Sequence, residues 1–283
     1  MEGRGETLMR RAESLLEIVN LKSLVVSAVA VLSTWICLRL NIKADFPLTL
    51  IATAIVFPLV FSISTAYNRR EKALEEYGSL KAYGRALYLA SQHWVSQSCA
   101  KRDAALKAAL RELLTAIRAL VMSPVREMQA HEARVYAAFG RLSDFVQDMR
   151  QAHLSASELS PLHQFVGRML LAFENLKHIY EYRTPRALRA FSDFFILLLP
   201  ILYGPYFAYQ ATQFAPALFF AMPILFSLIL VGLANIQDCL ENPFDQIGAD
   251  DLAIDPDRFV ESLVNNKADA ETTARFVPKA ELA

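Results

Sequence analysis

The chain has 283 residues, of which 54% are hydrophobic and 20% charged, and its 29 basic and 29 acidic side chains cancel at pH 7. Soluble domains usually carry about a quarter charged residues, so this balance, with a mean hydropathy of +0.26, disfavours an ordinary soluble enzyme. Three scattered cysteines and five scattered histidines have no metal-ligand or redox spacing. No Gly-rich phosphate loop, nucleophile elbow or zinc motif occurs, so no enzyme is expected.

Residues 1–21 carry four glutamates and Arg4, Arg10 and Arg11, which is no signal peptide. Met9, Leu15, Leu16 and Ile18 mark one side of an amphipathic helix lying along a membrane, with a solvated tail as the alternative. Residues 22–67 hold two apolar segments, Leu24–Leu38 and Phe46–Tyr67. The second has no charge between Asp45 and Arg69, and its 22 residues at about 1.5 Å each cover the roughly 30 Å of bilayer hydrocarbon. Residues 190–234 hold a second pair, Phe194–Tyr209 and Phe214–Leu233. The layout predicts an all-α integral membrane protein with four spans.

Residues 68–189 read as a cytoplasmic helical region. Helix formers run from Arg69 without proline until Pro124, with a break expected near Ser96–Cys99. Leu106, Leu110, Leu113, Ile117 and Leu120 recur at helical spacing. Further helices are expected over Val125–Gln151 and Pro161–Tyr182, the latter with Ser160 as N-cap and Pro161 in its first position. Thr184-Pro185 gives a similar start signal before the third span.

Residues 68–189 carry 19 basic and 12 acidic groups, whereas the tail 235–283 carries 4 and 11. The loop 210–213 has no basic group. The positive-inside tendency therefore places both termini and the middle region in the cytoplasm. The acidic tail either wraps the basic middle region or stays solvated.

Ala66-Tyr67-Asn68-Arg69-Arg70 ends a long apolar helix, and Tyr77-Gly78 follows. Arg183-Thr184-Pro185 and Leu199-Pro200-Ile201-Leu202-Tyr203 come next in order. Glu241-Asn242-Pro243-Phe244 and Asp250-Asp251-Leu252 follow the last apolar segment. In this order, over roughly residues 20–260, the chain resembles the bestrophin family of ion channels.

The resemblance implies a homopentamer around one axial pore, in contact with membrane lipid and small inorganic ions, with no nucleic-acid partner. Counted back from Tyr67-Asn68-Arg69, the family's hydrophobic neck falls on Thr53, Phe57 and Phe61. Their i, i+4, i+8 spacing puts them on one helix face. Without the resemblance, packing of Phe57 and Phe61 against neighbouring helices is the plainer reading. Thr53 departs from the family's apolar preference, and Pro58 removes one helical hydrogen bond beside the neck. Arg69 and Arg70 fall at the expected vestibule mouth, where they attract anions or pair with Asp238 or Glu241.

Asn242, Asp250 and Asp251 resemble the calcium clasp of animal relatives. Asp245, standing where glycine is usual after the Phe, weakens that match, and the alternative is a structural turn. No other cofactor is expected. The reading is a passive channel for small anions such as chloride, with a cation-selective channel or a non-conducting membrane scaffold as alternatives.

Overall fold

The computed structural model describes residues 20–46, 48–95, 99–152, 154–182, 186–213, 215, 217–246 and 251–264. The expected amphipathic helix over residues 1–21 lies almost wholly outside them, as do Ser96–Ser98, Thr184-Pro185 and Asp250. The described residues are helical with no strand. They comprise α1 (Leu21–Arg39), α2 (Leu48–His93), α3 (Ala100–Met122), α4 (Met128–Asp148), α5 (Ala156–Glu181), α6 (Arg186–Leu202), α7 (Gly204–Gln213), α8 (Leu218–Glu241) and a helix over 256–264, α9. The chain divides into two compact units.

The first unit contains α1, α2 as far as Arg70, and α6 to α8. Asn20 caps α1 by accepting from the Ser23 N–H at 3.2 Å. Asn41 ends the helix in the left-handed conformation, φ 52°, which asparagine tolerates. Ile55 and Leu59 from α2 meet Ile196 and Leu199 from α6, Tyr203, Phe207 from α7, and Leu230 and Val231 from α8. A Cβ on Gly204 would lie 2.5 Å from Ser33 Oγ and 3.2 Å from Cys37 Sγ, so glycine permits α7 to approach α1.

Three helical stretches among the described residues are long and apolar enough to cross a membrane: Leu21–Arg39, Ala187–Gln213 and Phe219–Glu241. Many of their large apolar side chains are exposed, including Leu24, Trp35, Phe194, Phe220 and Leu225. A soluble monomer rarely presents so much apolar surface. The chain is an integral membrane protein. The third apolar segment starts earlier than the expected Phe194, because Arg186 opens α6 and the charges on Arg189 and Asp193 are paired (Lys22 Nζ lies 3.2 Å from Asp193 Oδ1). The stretch is interrupted at Tyr203, between α6 and α7. The last segment continues past Leu233 to Glu241, carrying Asp238 with it.

The second unit contains α2 from Glu71 onward, α3 to α5, and α9. Leu106, Leu110, Leu113, Ile117 and Leu120 are each at most 1% exposed, so the helical spacing read from the sequence is the core stripe of α3. Burial of one such side chain contributes about 1.5–3 kcal/mol before entropy is counted. Val135, Leu142 and Val146 of α4 and Leu162, Phe173 and Leu176 of α5 complete the layer. Tyr180 donates to the Ser123 carbonyl, and its ring meets the buried Phe244 edge-on at 6.2 Å.

The start of α5 corrects the sequence reading. Ser155, not Ser160, is the N-cap; its hydroxyl accepts from the Glu158 N–H, and Glu158 reaches back to the Ser155 N–H at 2.9 Å. This reciprocal capping box satisfies two amide donors, whereas a start at Ser160 would leave the Leu159 core residue outside the helix. Pro161 therefore lies inside α5, where it removes one backbone bond near the helix start.

Lys177 ties α5 to α4. Its Nζ donates to Glu132 at 2.8 Å and Tyr136 Oη at 2.9 Å, and pairs with Glu174 at 2.6 Å. Burial works to lower the Lys177 pKa, but the bonds to Glu132, Glu174 and Tyr136 overcome it and the pKa is raised. The Lys177 bond holds Glu132 below the usual carboxylate range against its partial burial, with help from Tyr136. The Glu132 contribution is therefore fully present above an unfolded carboxylate pKa of about 4.3 and is lost as pH falls through its depressed folded value. Lys177→Met is expected to cost about 1–2 kcal/mol at pH 7, a charge-assisted network discounted for partial exposure. Thermal melts of both proteins should converge between about pH 5 and pH 3; a gap that stays constant over that range would remove this pair from the stability account.

Candidate functional site

The α2 segment of the first unit has two distinct faces. Ile55, Leu59, Ser62 and Ala66 follow one another at spacings of four, three and four, and all are buried. This face carries the packing. The opposite side presents Thr53, Phe57, Val60, Phe61, Ser64 and Thr65, all exposed. Phe57 is 60% exposed and Phe61 56%, so neither is buried in the core of the first unit. Packing of the two rings against neighbouring helices would therefore need helices outside this unit.

The two rings form a pair of their own, edge to face, with centroids 4.6 Å apart. That geometry places the positive ring edge of one against the negative face of the other. Pro58 lies inside the helix between them and has no N–H, which leaves the Ala54 carbonyl without its usual helical donor. Thr65 donates from Oγ1 to the Phe61 carbonyl at 2.8 Å, a back-bond that lets a hydroxyl sit on an apolar helix. An exposed face that alternates phenyl rings with hydroxyls suits intermittent contact with water better than contact with lipid alone.

Arg69 and Arg70, the residues placed at the expected mouth, are both half-buried and both engaged by other groups. Asp238 and Glu241, the partners considered for them, are engaged elsewhere on the same unit. Both carboxylates pair with Arg189 of α6, through Nη1 to Glu241 at 2.9 Å and Nη2 to Asp238. Glu241 is 5% exposed, so the arginine neutralises a carboxylate that would be costly to bury alone. The sequence signal for this clasp was an arginine one turn inside an apolar helix, where a charge needs a named partner.

Asn242 is the half-buried C-cap of α8, Asp245 is exposed, and Asp251 is half-buried and engaged by another group. Among the described residues no group of three His, Cys, Asp or Glu side chains is arranged to hold a metal. The three cysteines are free thiols.

No family model matches the chain, and no curated protein does. Solved structures do. A crystal structure of a bacterial bestrophin homolog from Klebsiella pneumoniae is 17% identical, with a TM-score of 0.63 over 90% of this chain and 96% of that one. A point variant of a homolog from the same organism is 16% identical, with a TM-score of 0.63 over 88% and 97%. A structure described as a membrane protein is 18% identical, also at 0.63, over 88% and 98%. At these identities the likeness carries architecture rather than activity. Over most of its length, the chain has the fold of these bacterial bestrophin homologs.

Proposed function

We propose that the chain is a bestrophin-like ion channel that passes small anions such as chloride passively through a neck formed by Thr53, Phe57 and Phe61. The observation that carries this reading is the mixed exposed face of α2. The exposed positions of α1 between its first turn and Arg39 (Leu24, Val25, Ala28, Leu32, Trp35, Ile36) and of α8 near its start (Phe220, Ala221, Met222, Ile224, Leu225, Ile229) are uniformly apolar, as lipid contact requires. Only α2 interleaves exposed phenylalanines with Thr53, Ser64 and Thr65 among these three.

In this reading four segments cross the bilayer, the uncharged start of α2 being the second, and both termini lie in the cytoplasm. Five copies surround the axis, so each α2 residue forms a ring. At about 1.5 Å per residue, the three neck positions span roughly 12 Å of axis. Rings of phenylalanine at that constriction gate by dewetting, while their electropositive edges favour an anion over a cation of equal size. The Thr53 hydroxyls keep the entrance wet. Arg69 and Arg70 raise the local anion concentration beyond the neck. A cation-selective pore is the second reading, favoured by the exposed Glu71 and Glu75 that follow in the same helix; Lys72 offsets Glu75 at 2.9 Å. In a non-conducting scaffold the α2 face would serve only as a subunit contact.

Reconstitution in planar bilayers under a KCl gradient tests the proposal. The reversal potential should fall near the chloride equilibrium potential. A value near the potassium potential would replace the anion pore by the cation pore, and silence from a verified oligomer would favour the scaffold. The double variant Phe57→Ala, Phe61→Ala widens and wets the neck, so leak current should rise several-fold. Unchanged currents from a correctly assembled double variant would take the neck away from these residues. The segment containing Asn242, Asp250 and Asp251 is read as a structural turn, with calcium regulation as the alternative. Chelating calcium should leave the current unchanged; a current that disappears and returns with calcium would assign the turn as a clasp.

A further inference from the structure

Within the second unit a cavity of about 740 Å³ opens between α2 and α9. Tyr77, Lys81 and Arg85 reach it from α2 at successive i, i+4 positions. Asp255 begins α9 by accepting the Arg258 N–H at Oδ1, 3.0 Å, and the helix then presents Arg258 and Ser262 to the same space. Arg85 Nη2 donates to Ser262 Oγ at 3.0 Å, and Lys81 Nζ stands 4.4 Å above the Tyr77 ring. Lys81, Arg85 and Arg258 thus face one cavity, and the one acid among its described lining residues, Asp255, caps the helix.

The contrast with other cations of the chain is sharp. Arg111 takes Asp257 at 2.7 Å, Arg141 takes Glu112, Lys177 takes two glutamates, and Arg189 takes two carboxylates. Among the described residues no carboxylate lies within ion-pairing distance of Lys81, Arg85 or Arg258. Partial burial lowers the Lys81 pKa, and the charges of Arg85 and Arg258 lower it further. Three like charges converging on a partly desolvated hollow cost free energy that an anion would return. The hollow is far larger than a halide needs and falls within the usual range for small-molecule sites. Guanidinium forks match pairs of phosphate oxygens, an ammonium adds a point charge, and the Phe259 and Tyr77 rings offer a wall for an organic remainder.

We propose that this cavity between α2 and α9 is a binding site for a phosphate-bearing small anion. The phosphate comes either from a soluble phosphate ester or from a lipid headgroup; the recognition chemistry is the same.

The test is calorimetric titration of the purified full chain with inorganic pyrophosphate at constant ionic strength, with sodium chloride as the control. Saturable binding that chloride does not reproduce is expected. Lys81→Gln with Arg258→Gln removes two charge-assisted contacts and should weaken binding at least tenfold. Because those changes alter local charge, a second variant leaves it intact. A Cβ on Gly78, which also lines the cavity, meets nothing within 4 Å, so Gly78→Met adds bulk to the lining with no change of charge and should abolish binding. Equal pyrophosphate affinity in neutral and anionic lipid discs assigns a soluble ligand; loss of binding only in anionic discs assigns the headgroup. No saturable binding in detergent or neutral discs, or an affinity that both variants leave unchanged, overturns the proposal.

Discussion

Hydrocarbon offers no hydrogen-bond partner to a peptide group, and this constraint shapes the first unit from end to end. A span must satisfy its own backbone, so the apolar segments are helices, and several hydroxyls on them bond back to carbonyls of their own helix. Thr34 returns its proton to the Ala30 carbonyl at 2.9 Å, Thr65 to Phe61, and Ser192 to Leu188 at 3.1 Å. Ser33 uses the same chemistry between elements, donating to the Ile201 carbonyl at 2.9 Å near the break between α6 and α7. Pro58, Pro200 and Pro223 each remove a backbone donor from an apolar helix. Such prolines cost less there than in an exposed helix, because neighbouring helices and hydroxyls can answer the freed carbonyls.

The same constraint governs charge. Arg189 enters the apolar stretch with two carboxylates from α8 already arranged around it, so α6 and α8 are joined by a clasp as well as by packing. Removing Arg189 would leave Glu241 buried and alone, whereas removing both acids would leave the arginine alone. The second unit uses charge differently. Its Lys177 network lies on a half-exposed helix pair and adds to a core that α3, α4 and α5 already form by apolar contact.

What the sequence disclosed follows from which signals are local. The core stripe of α3 is pure periodicity and stands at its expected place, whereas three of the four expected apolar segments stand out by composition, with shifted bounds. The α5 start was misplaced because Ser160-Pro161 imitates a start signal, while Ser155 and Glu158 form a capping box that only a pattern spanning four residues reveals. The exposure of Phe57 and Phe61 was legible as a face but not as a surface, since spacing says which residues share a side and not what lies against it. The Arg189 clasp and the cavity beside Lys81 depend on groups 49 and roughly 170 to 180 positions apart in the chain, beyond any local pattern.

An exposed phenylalanine on a membrane helix has three available surroundings: lipid, a neighbouring subunit, or a pore. Lipid accepts phenyl rings readily but has no use for hydroxyls, and the lipid-suited faces of α1 and α8 carry almost none. A static subunit contact would bury Thr53 and Ser64 beside the rings, and each would then need a partner such as Thr65 already has in the Phe61 carbonyl. A narrow path that is wet in one state and dry in another accommodates both kinds of side chain, because water answers the hydroxyls and the rings set the energy of wetting. The inner face of α2 reinforces this reading. Ile55, Leu59 and Ala66 hold the helix rigidly against its neighbours. The outer rings, which make the 4.6 Å edge contact with each other, can then reorient without disturbing the core that positions them.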